Sequence, residues 1–263
     1  MISSVSSIVA PSILGLSHVG IKTADIERSC AFYRDFLGFA EQCRLNYLQT
    51  GELMLVCFKV SEEQWIEVFT GLRSGENRMH QVAFRVTDAD QIRVRLAEQG
   101  AAVPAKTPKG QMGNFNFVVP DPSGQIVEFV QHLPNGITER DRGKFLPTTR
   151  VSSRIRHARI VATDLDQAES FYGNLGLTTV DAGGRSRQIT SSGDFIEFVT
   201  DSNAGAEFCL EVGDISEARR KLERSSFRPH YSGSLESQVG PDGARFFDLF
   251  DPDGTCVRVI ECR

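Results

Sequence analysis

An internal repeat is the feature of this sequence that most restricts its fold. Residues 16–39 recur in the second half of the chain with one deletion, so that His18 falls on His157. Further along, the stretch from Gly113 recurs from Gly243, and both copies contain a DPxG turn between two strand-like segments. Repetition at this period predicts two homologous halves, each large enough to bury its own core.

A fainter repeat lies within the first half. The segment around His18 matches the segment around His80, and Glu67 matches Glu128. Each quarter of the chain is therefore expected to contain a strand, an amphipathic helix and further strands.

The first quarter shows both periodicities clearly. Val19 and Ile21 alternate with His18, which places the two apolar residues on one face of a strand and the histidine on the other. Apolar residues at helical spacing then follow Asp25, a favourable N-cap, and stop at Gly38. We expect the helix to cover the apolar face and to leave the histidine face open.

The repeat also predicts the domain boundaries. Residues 14–131 form the first domain and residues 154–263 the second. Between them, residues 132–153 are rich in proline, glycine and charge and show little periodicity, which is typical of a linker.

The composition of the chain indicates which kinds of molecule the protein is expected to bind. The net charge is -5 and no dense run of Lys or Arg occurs, which argues against nucleic acid and anionic membranes and favours a small-molecule substrate. No apolar run approaches the roughly 18 residues that a membrane span requires. The six cysteines form no CxxC pair, as expected of reduced thiols in a cytoplasmic protein.

The placement of two histidines and two glutamates on four predicted strands resembles the metal-dependent members of the vicinal oxygen chelate superfamily. That superfamily includes glyoxalase I, methylmalonyl-CoA epimerase and extradiol dioxygenases, and its bleomycin resistance proteins are not catalysts. The resemblance extends over nearly the whole chain. It implies an α+β fold of two homologous domains, each made of paired βαβββ modules that form a cup-shaped, mostly antiparallel sheet with helices outside. The metal ligands that it implies are His18, Glu67, His80 and Glu128.

Two imidazoles and two carboxylates suit one divalent ion, such as Zn, Ni, Fe, Mn or Co. The open positions of an octahedral ion would accept two adjacent oxygens of a substrate, and the ion would act as a Lewis acid. Either Glu128 or Glu67 could then carry a proton. The sequence therefore predicts a lyase or isomerase of the glyoxalase or epimerase type.

Two alternatives stay open. An extradiol-type dioxygenase resembles a site with two histidines and one carboxylate, and Glu67 as a fourth ligand disfavours it. The additional His and Tyr of those enzymes also lack clear counterparts, since His132 opens the linker and His230 with Tyr231 lies in a loop-like stretch. The second alternative is a metal-free protein that binds a small molecule, like the bleomycin resistance proteins.

The second half has an incomplete ligand set. His157 and Glu197 keep their places, but Ala206 and Arg258 stand at the positions that match the second histidine and the second glutamate. One of the two cups is therefore predicted to lack a metal.

Modules can pair within a half or be exchanged between halves. In the exchanged arrangement the ligand set would be His80, Glu128, His157 and Glu197. Gly20 leaves room beside His18, whereas the second half has Arg159 at that position, where a fixed cation would repel a metal. This asymmetry favours pairing within the half.

Overall fold

The structure is a computed structural model that describes residues 12–201, 205–225, 227, 232–240 and 242–262. Strands of the first half are β1 (Ile13–Thr23), β2 (Ala40–Asn46), β3 (Leu53–Lys59), β4 (Trp65–Thr70), β5 (Met79–Val86), β6 (Phe115–Pro120) and β7 (Ile126–Gln131). They form one sheet in the order β2-β3-β4-β1-β5-β7-β6. β1 runs parallel to β4 and β5 runs parallel to β7, while the other neighbours are antiparallel.

The second half repeats this arrangement. Its strands are β8 (Arg154–Val161), β9 (Thr178–Asp181), β10 (Ser186–Ile189), β11 (Phe195–Val199), β12 (Glu207–Val212), β13 (Ser232–Gly233), β14 (Gln238–Val239), β15 (Arg245–Phe250) and β16 (Cys256–Glu261). The sheet order is β13-β15-β16-β12-β8-β11-β10-β9, and β14 pairs with β15. The predicted fold class is confirmed. One module departs from it, because an isolated bridge between Lys109 and Phe115 stands where the repeat predicts another strand.

Each module helix begins at an aspartate. The helices are α1 (Ile26–Cys30), α2 (Ala89–Glu98), α3 (Ile137–Arg140), α4 (Leu165–Asn174) and α5 (Ile215–Arg224). Helix α3 lies in the predicted linker. In each of the other four, the N-cap side chain accepts a hydrogen bond from a backbone N–H of the first turn; the caps are Asp25, Asp88, Asp164 and Asp214.

The first module helix accommodates one extra residue as a π-helical segment. After α1, residues Ala31–Phe36 are π-helical, and the N–H of Leu37 donates to the carbonyl of Phe32 at 3.0 Å. A π-helical turn holds one residue more than an α-helical turn. The second domain has one residue fewer between Asp164 and Gly176 than the first has between Asp25 and Gly38, and α4 is regular. The single deletion in the repeat thus coincides with this segment.

The helices cover the apolar faces of both sheets and join the two domains. Although the repeat predicts a separate core for each half, most of the buried apolar side chains of both halves form one continuous cluster, and a smaller cluster lies around Trp65. Tyr172 of α4, for example, contacts Phe84 of β5 with ring centroids 6.2 Å apart. Across the same interface, Gln64 Nε2 donates to the carbonyl of Ile155 at 2.9 Å and Gln64 Oε1 accepts from the N–H of Ile155 at 2.8 Å.

Within the described ranges, no helix has the length and apolar character needed to cross a membrane.

Candidate metal centre

Four side chains meet on the open face of the first sheet. His18 lies on β1, Glu67 on β4, Gln81 on β5 and Glu128 on β7. All four residues are between 5% and 7% exposed. His18 Nε2 lies 3.0 Å from Glu128 Oε2, 3.4 Å from Glu67 Oε2 and 2.8 Å from Gln81 Nε2. Gln81 Nε2 also donates to Glu128 Oε2 at 2.6 Å.

The predicted ligand His80 is not a member of this cluster, because the pairing of β5 with β1 places Gln81 on the same face as His18. Gly20 of β1 faces Gln81, but the next pair joins Ile21 to Met79, so His80 is an extra residue in the ladder. Its imidazole packs against Phe69 with ring centroids 4.4 Å apart. In the structure, Gln81 and not His80 is the fourth member of the cluster.

The sequence contains a signal that identifies Gln81. His18 lies seven residues before the N-cap Asp25, and Gln81 lies seven residues before the N-cap Asp88. Matching His18 with His80 instead leaves one residue too many before the cap. Counting from the helix caps, rather than aligning the two histidines, gives the register that the structure shows.

The same correction applies in the second half. Glu207 lies seven residues before the N-cap Asp214, so Glu207 and not Ala206 occupies the position of Gln81. The structure agrees, because Glu207 Oε1 faces His157 Nε2 at 3.8 Å.

Burial and mutual contact perturb the ionisation of the first cluster. Burial lowers the pKa of His18, but the carboxylates of Glu67 and Glu128 outweigh it and raise this pKa to about 8. Burial raises the pKa of Glu67 to about 7, against the opposing effect of His18. The pKa of Glu128 stays below its ordinary value despite burial, because His18 and two amide donors stabilise the carboxylate.

With both glutamates ionised, no position of a proton on His18 suits all of its neighbours. If His18 Nε2 is protonated, it can donate to Glu128, but it then faces the N–H donor of Gln81. If His18 Nε2 is unprotonated, it can accept from Gln81, but its lone pair then faces a carboxylate oxygen. A cation resolves the conflict once the amide of Gln81 is turned over to present its oxygen, because the oxygen and nitrogen of an amide are alike in size and occupy the same space.

The distances from His18 Nε2 to its neighbours lie in the range of adjacent ligands on one metal ion. Adjacent ligands of a six-coordinate ion with bonds of about 2.1 Å lie about 3.0 Å apart. The donor atoms around His18 Nε2 lie at 2.8–3.4 Å. The described residues contain no group of three or more His, Cys, Asp or Glu side chains in a metal-binding arrangement. In the first cup, His18, Gln81 and Glu128 hydrogen-bond one another instead, and Glu67 lies 3.4 Å from His18.

The carboxylates of Glu128 and Glu67 differ in the number and strength of their contacts. Glu128 Oε2 contacts His18 and Gln81, and Glu128 Oε1 accepts from Asn116 Nδ2 at 2.5 Å. Glu67 has only the 3.4 Å contact with His18 and a weak 3.9 Å contact between its Oε1 and the thiol of Cys57. Glu128 is therefore the anchored carboxylate and Glu67 the freer one.

A cavity of about 370 Å³ opens in front of the cluster. Besides the polar cluster, it has an apolar wall formed by Leu45, Met54, Leu55, Trp65, Phe69 and Met112. Of the aromatic residues near the predicted ligands, Trp65 and Phe69 face this cavity, whereas Phe84 lies in the core on the opposite side of the sheet.

An arginine occupies the middle of the second cup. Arg159, at the position of Gly20, reaches Glu197 Oε1 at 3.1 Å and also contacts Glu207. Arg258, at the position of Glu128, makes two hydrogen bonds of 2.8 Å to Asp248. The second cup thus holds a guanidinium between its carboxylates, where the first cup brings four metal-type donors together.

The exchanged ligand set does not form. His157 and Glu197 belong to the second sheet, and His18, Glu67 and Glu128 converge within the first. His230 and Tyr231, considered as counterparts of dioxygenase residues, lie outside the described residues.

Comparisons with known proteins agree with this architecture. Residues 15–129 match the profile of the Glyoxalase/Bleomycin resistance protein/Dioxygenase superfamily. No protein with a curated description matches the chain by sequence.

Several solved structures share the fold of the whole chain. The Mn(II)-bound glyoxalase from Novosphingobium aromaticivorans is 16% identical, with a TM-score of 0.70 over 95% of this chain and 83% of that one. The 2,3-dioxygenase LapB from Pseudomonas sp. KL28 is 16% identical, with a TM-score of 0.71 over 97% and 94%. An extradiol ring-cleaving dioxygenase from B. fuscum is 17% identical, with a TM-score of 0.67 over 95% and 72%.

Identities this low show a common fold and leave the reaction open. The first domain is similar to the Glyoxalase/Bleomycin resistance protein/Dioxygenase superfamily, whose profile it matches over residues 15–129. The second half repeats the same fold, and the chain as a whole shares the fold of the solved glyoxalase and dioxygenase structures.

Proposed function

We propose that this protein is a divalent-metal-dependent enzyme of the glyoxalase or epimerase type, with its site in the first domain. The observation that supports this function best is the convergence of Glu67, Gln81 and Glu128 on His18 Nε2, all within 3.4 Å, at one side of a cavity. The ion, one of Zn, Ni, Fe, Mn or Co, would be held by His18, Glu67, Glu128 and the amide oxygen of Gln81. The similar glyoxalase from Novosphingobium aromaticivorans is a Mn(II)-bound protein.

When bound, the metal supplies Lewis acidity that stabilises negative charge on a substrate oxygen. The substrate is a small molecule with two adjacent oxygens. Glu128, which is hydrogen-bonded through both oxygens, keeps its position and orients the donor set. Glu67, with few other contacts, is free to turn its Oε2 towards the substrate and take a proton from carbon.

Dioxygenase chemistry has less support from the site. Four protein donors leave two positions on a six-coordinate ion, enough for a substrate with two oxygens but not for an additional O₂. A metal-free binding protein is the other alternative, and metal content separates it from the enzyme.

Metal content of purified protein, measured by mass spectrometry after loading with Mn²⁺ or Zn²⁺, tests the proposed site. We expect about one ion per chain. Gln81→Leu, which keeps the volume but removes the amide, should weaken binding by more than about 100-fold, since even outer-shell changes cost 10- to 100-fold. His80→Ala is the matched control and should keep the ion.

An empty wild-type protein, or full occupancy in Glu128→Ala, would overturn the metal site. Proton transfer is tested separately by the exchange of substrate C–H for deuterium in D₂O, followed by NMR with a panel of 2-hydroxy and 2-oxo acids. Glu67→Gln retains an oxygen ligand but cannot accept the proton, so it should lose exchange and keep metal. Exchange at the wild-type rate in Glu67→Gln would exclude Glu67 as the proton carrier.

A further inference from the structure

A histidine outside the metal cluster lines the same cavity. His132 follows β7 directly, so that Glu128, Val130 and His132 fall on one face of the chain by strand alternation. Its side chain is only 10% exposed. The sequence alone assigns this residue to the beginning of the linker, and the metal site does not use it.

The ring of His132 is held on two sides. Its Nδ1 lies 3.6 Å from Glu63 Oε2, and its plane stands edge-on to Trp65, with centroids 5.6 Å apart and an interplanar angle of 87°. Glu63 is itself in contact with Arg85 at 3.2 Å and with Arg142 at 3.5 Å. These contacts keep Glu63 ionised and direct the Nδ1 edge of the imidazole towards it.

The other ring nitrogen has no partner. His132 Nε2 is buried, and no polar group among the described residues forms a hydrogen bond with it. Burying a ring nitrogen without a hydrogen bond is unfavourable, so such atoms usually have a partner that comes from outside the chain. The cavity is the space from which this partner can come, because His132 forms part of its lining.

Trp65 separates this nitrogen from the metal cluster. In β4, Trp65 and Glu67 share one face, and Trp65 is the residue opposite His18 in the pairing of β1 with β4. His132 packs against Trp65. The lining of the cavity thus includes the polar cluster around His18, the indole of Trp65 beside that cluster, and His132, which packs on the indole.

We propose that His132 is a substrate-positioning residue whose Nε2 forms a hydrogen bond with a polar group at the end of the substrate remote from its two adjacent oxygens. This inference rests on the proposed function. It defines the substrate class as a molecule with vicinal oxygens at one end, a flat apolar body that packs on Trp65, and a hydroxyl or carbonyl at the other end. Glu63 positions the imidazole through Nδ1.

Trp65 provides a direct measurement of binding, because it is the single tryptophan of the chain. We would titrate the metal-loaded, full-length protein with mandelate and with 4-hydroxymandelate and follow tryptophan fluorescence. Both probes carry vicinal oxygens and a phenyl ring, and only the second has a polar group at the far end. One hydrogen bond predicts a preference of about tenfold for 4-hydroxymandelate.

His132→Phe should abolish this preference while mandelate affinity stays within about twofold, since a single hydrogen bond is removed. His132→Gln, which can still hydrogen-bond, should restore part of the preference, a result that a purely structural role does not produce. His80→Ala, the control histidine beside Phe69, should leave the preference intact.

Equal affinity of the two probes for the wild type, including failure of both to bind, overturns the role of His132. A preference that persists in His132→Phe overturns it as well. Metal content measured in the same samples distinguishes this failure from that of the proposed function. A filled metal site without a preference refutes His132 alone, whereas a wild-type protein without metal refutes both.

Discussion

The phenol of Tyr33 in the first domain donates a 3.0 Å hydrogen bond to Asp251 Oδ2 in the second domain, and Tyr172 makes the same 3.0 Å contact with Asp121 in the opposite direction. In each case the tyrosine comes from a module helix and the aspartate from the DPxG turn between the last two strands of the other domain. All four residues are buried. The same tyrosine–aspartate contact thus occurs twice at the interface, once in each direction. This is the arrangement expected of two domains related by an approximate two-fold axis.

The Asp251 contact predicts a pH dependence of stability. Burial raises the pKa of Asp251 to about 6, despite hydrogen bonds from Thr255 and Tyr33, whereas the unfolded value is about 3.9. Because the folded state holds this proton more tightly, the group's contribution to stability is complete below about pH 4 and is lost as the pH rises through about 6, a change of about 3 kcal/mol.

Asp251→Asn has no proton to lose at this position. The free energy of unfolding of the variant relative to wild type, measured by urea titration, should therefore increase by up to about 3 kcal/mol between pH 4 and pH 7. A difference that stays constant across this range would show that Asp251 does not titrate in the folded protein.

Two phenylalanines at equivalent positions of the repeat should contribute differently to the free energy of unfolding. Phe32 is fully buried and packs against Phe36 of the π-helical segment, with centroids 5.6 Å apart. Phe171 is only partly buried at the edge of the core. We expect Phe32→Ala to cost about 3–5 kcal/mol of unfolding free energy and Phe171→Ala less than half as much. Chemical denaturation of both variants checks this, and equal losses would contradict it.

Replacing the arginine of the second cup should create a metal site there. In a Glu128→Ala background, which disables the first site, Arg159→Gly leaves Glu197 and Glu207 beside His157 without their shared cation. We expect this variant to have a lower melting temperature than its parent and to regain stability with Zn²⁺, by about 2.7 kcal/mol at about 100 times the Kd. The same addition of Zn²⁺ should leave Glu128→Ala alone unchanged; equal responses would contradict the prediction.

The pairing of modules within each half predicts different results for the two repeated histidines. His18→Ala removes a donor from the complete set, so metal content should fall to a small fraction of wild type. His157→Ala should retain about the wild-type amount, because Arg159 already occupies its cup. Parallel measurement of metal per chain provides the comparison, and loss in His157→Ala with retention in His18→Ala would assign the metal to the other cup.

Much of the architecture follows from local patterns. The repeat predicts two copies of one fold, alternation in β1 predicts which face is covered, and each N-cap aspartate marks the beginning of a helix. The contrast between Gly20 and Arg159 favours pairing within the half, and the structure brings His18, Glu67 and Glu128 together in that way. Such features can be predicted from the sequence because strand and helix periodicities are properties of short segments.

The fourth residue of the cluster and the surroundings of the site were not predicted from the sequence. A comparison of histidines alone selects the neighbour of Gln81, whereas the count of residues before the N-cap aspartate gives the register of β5 that the structure shows. A single extra residue reverses which side chain faces the cup. The contact between His132 and Glu63 likewise joins segments that are far apart in sequence.

The sequence by itself determined that the chain consists of two homologous α+β domains, because the repeat and its periodicities are local and appear twice. Only the tertiary structure decided that Arg159 stands between two carboxylates and that His132 faces the cavity. The physical reason is that strand register and contacts between distant segments depend on the packing of the whole sheet, which no single segment encodes.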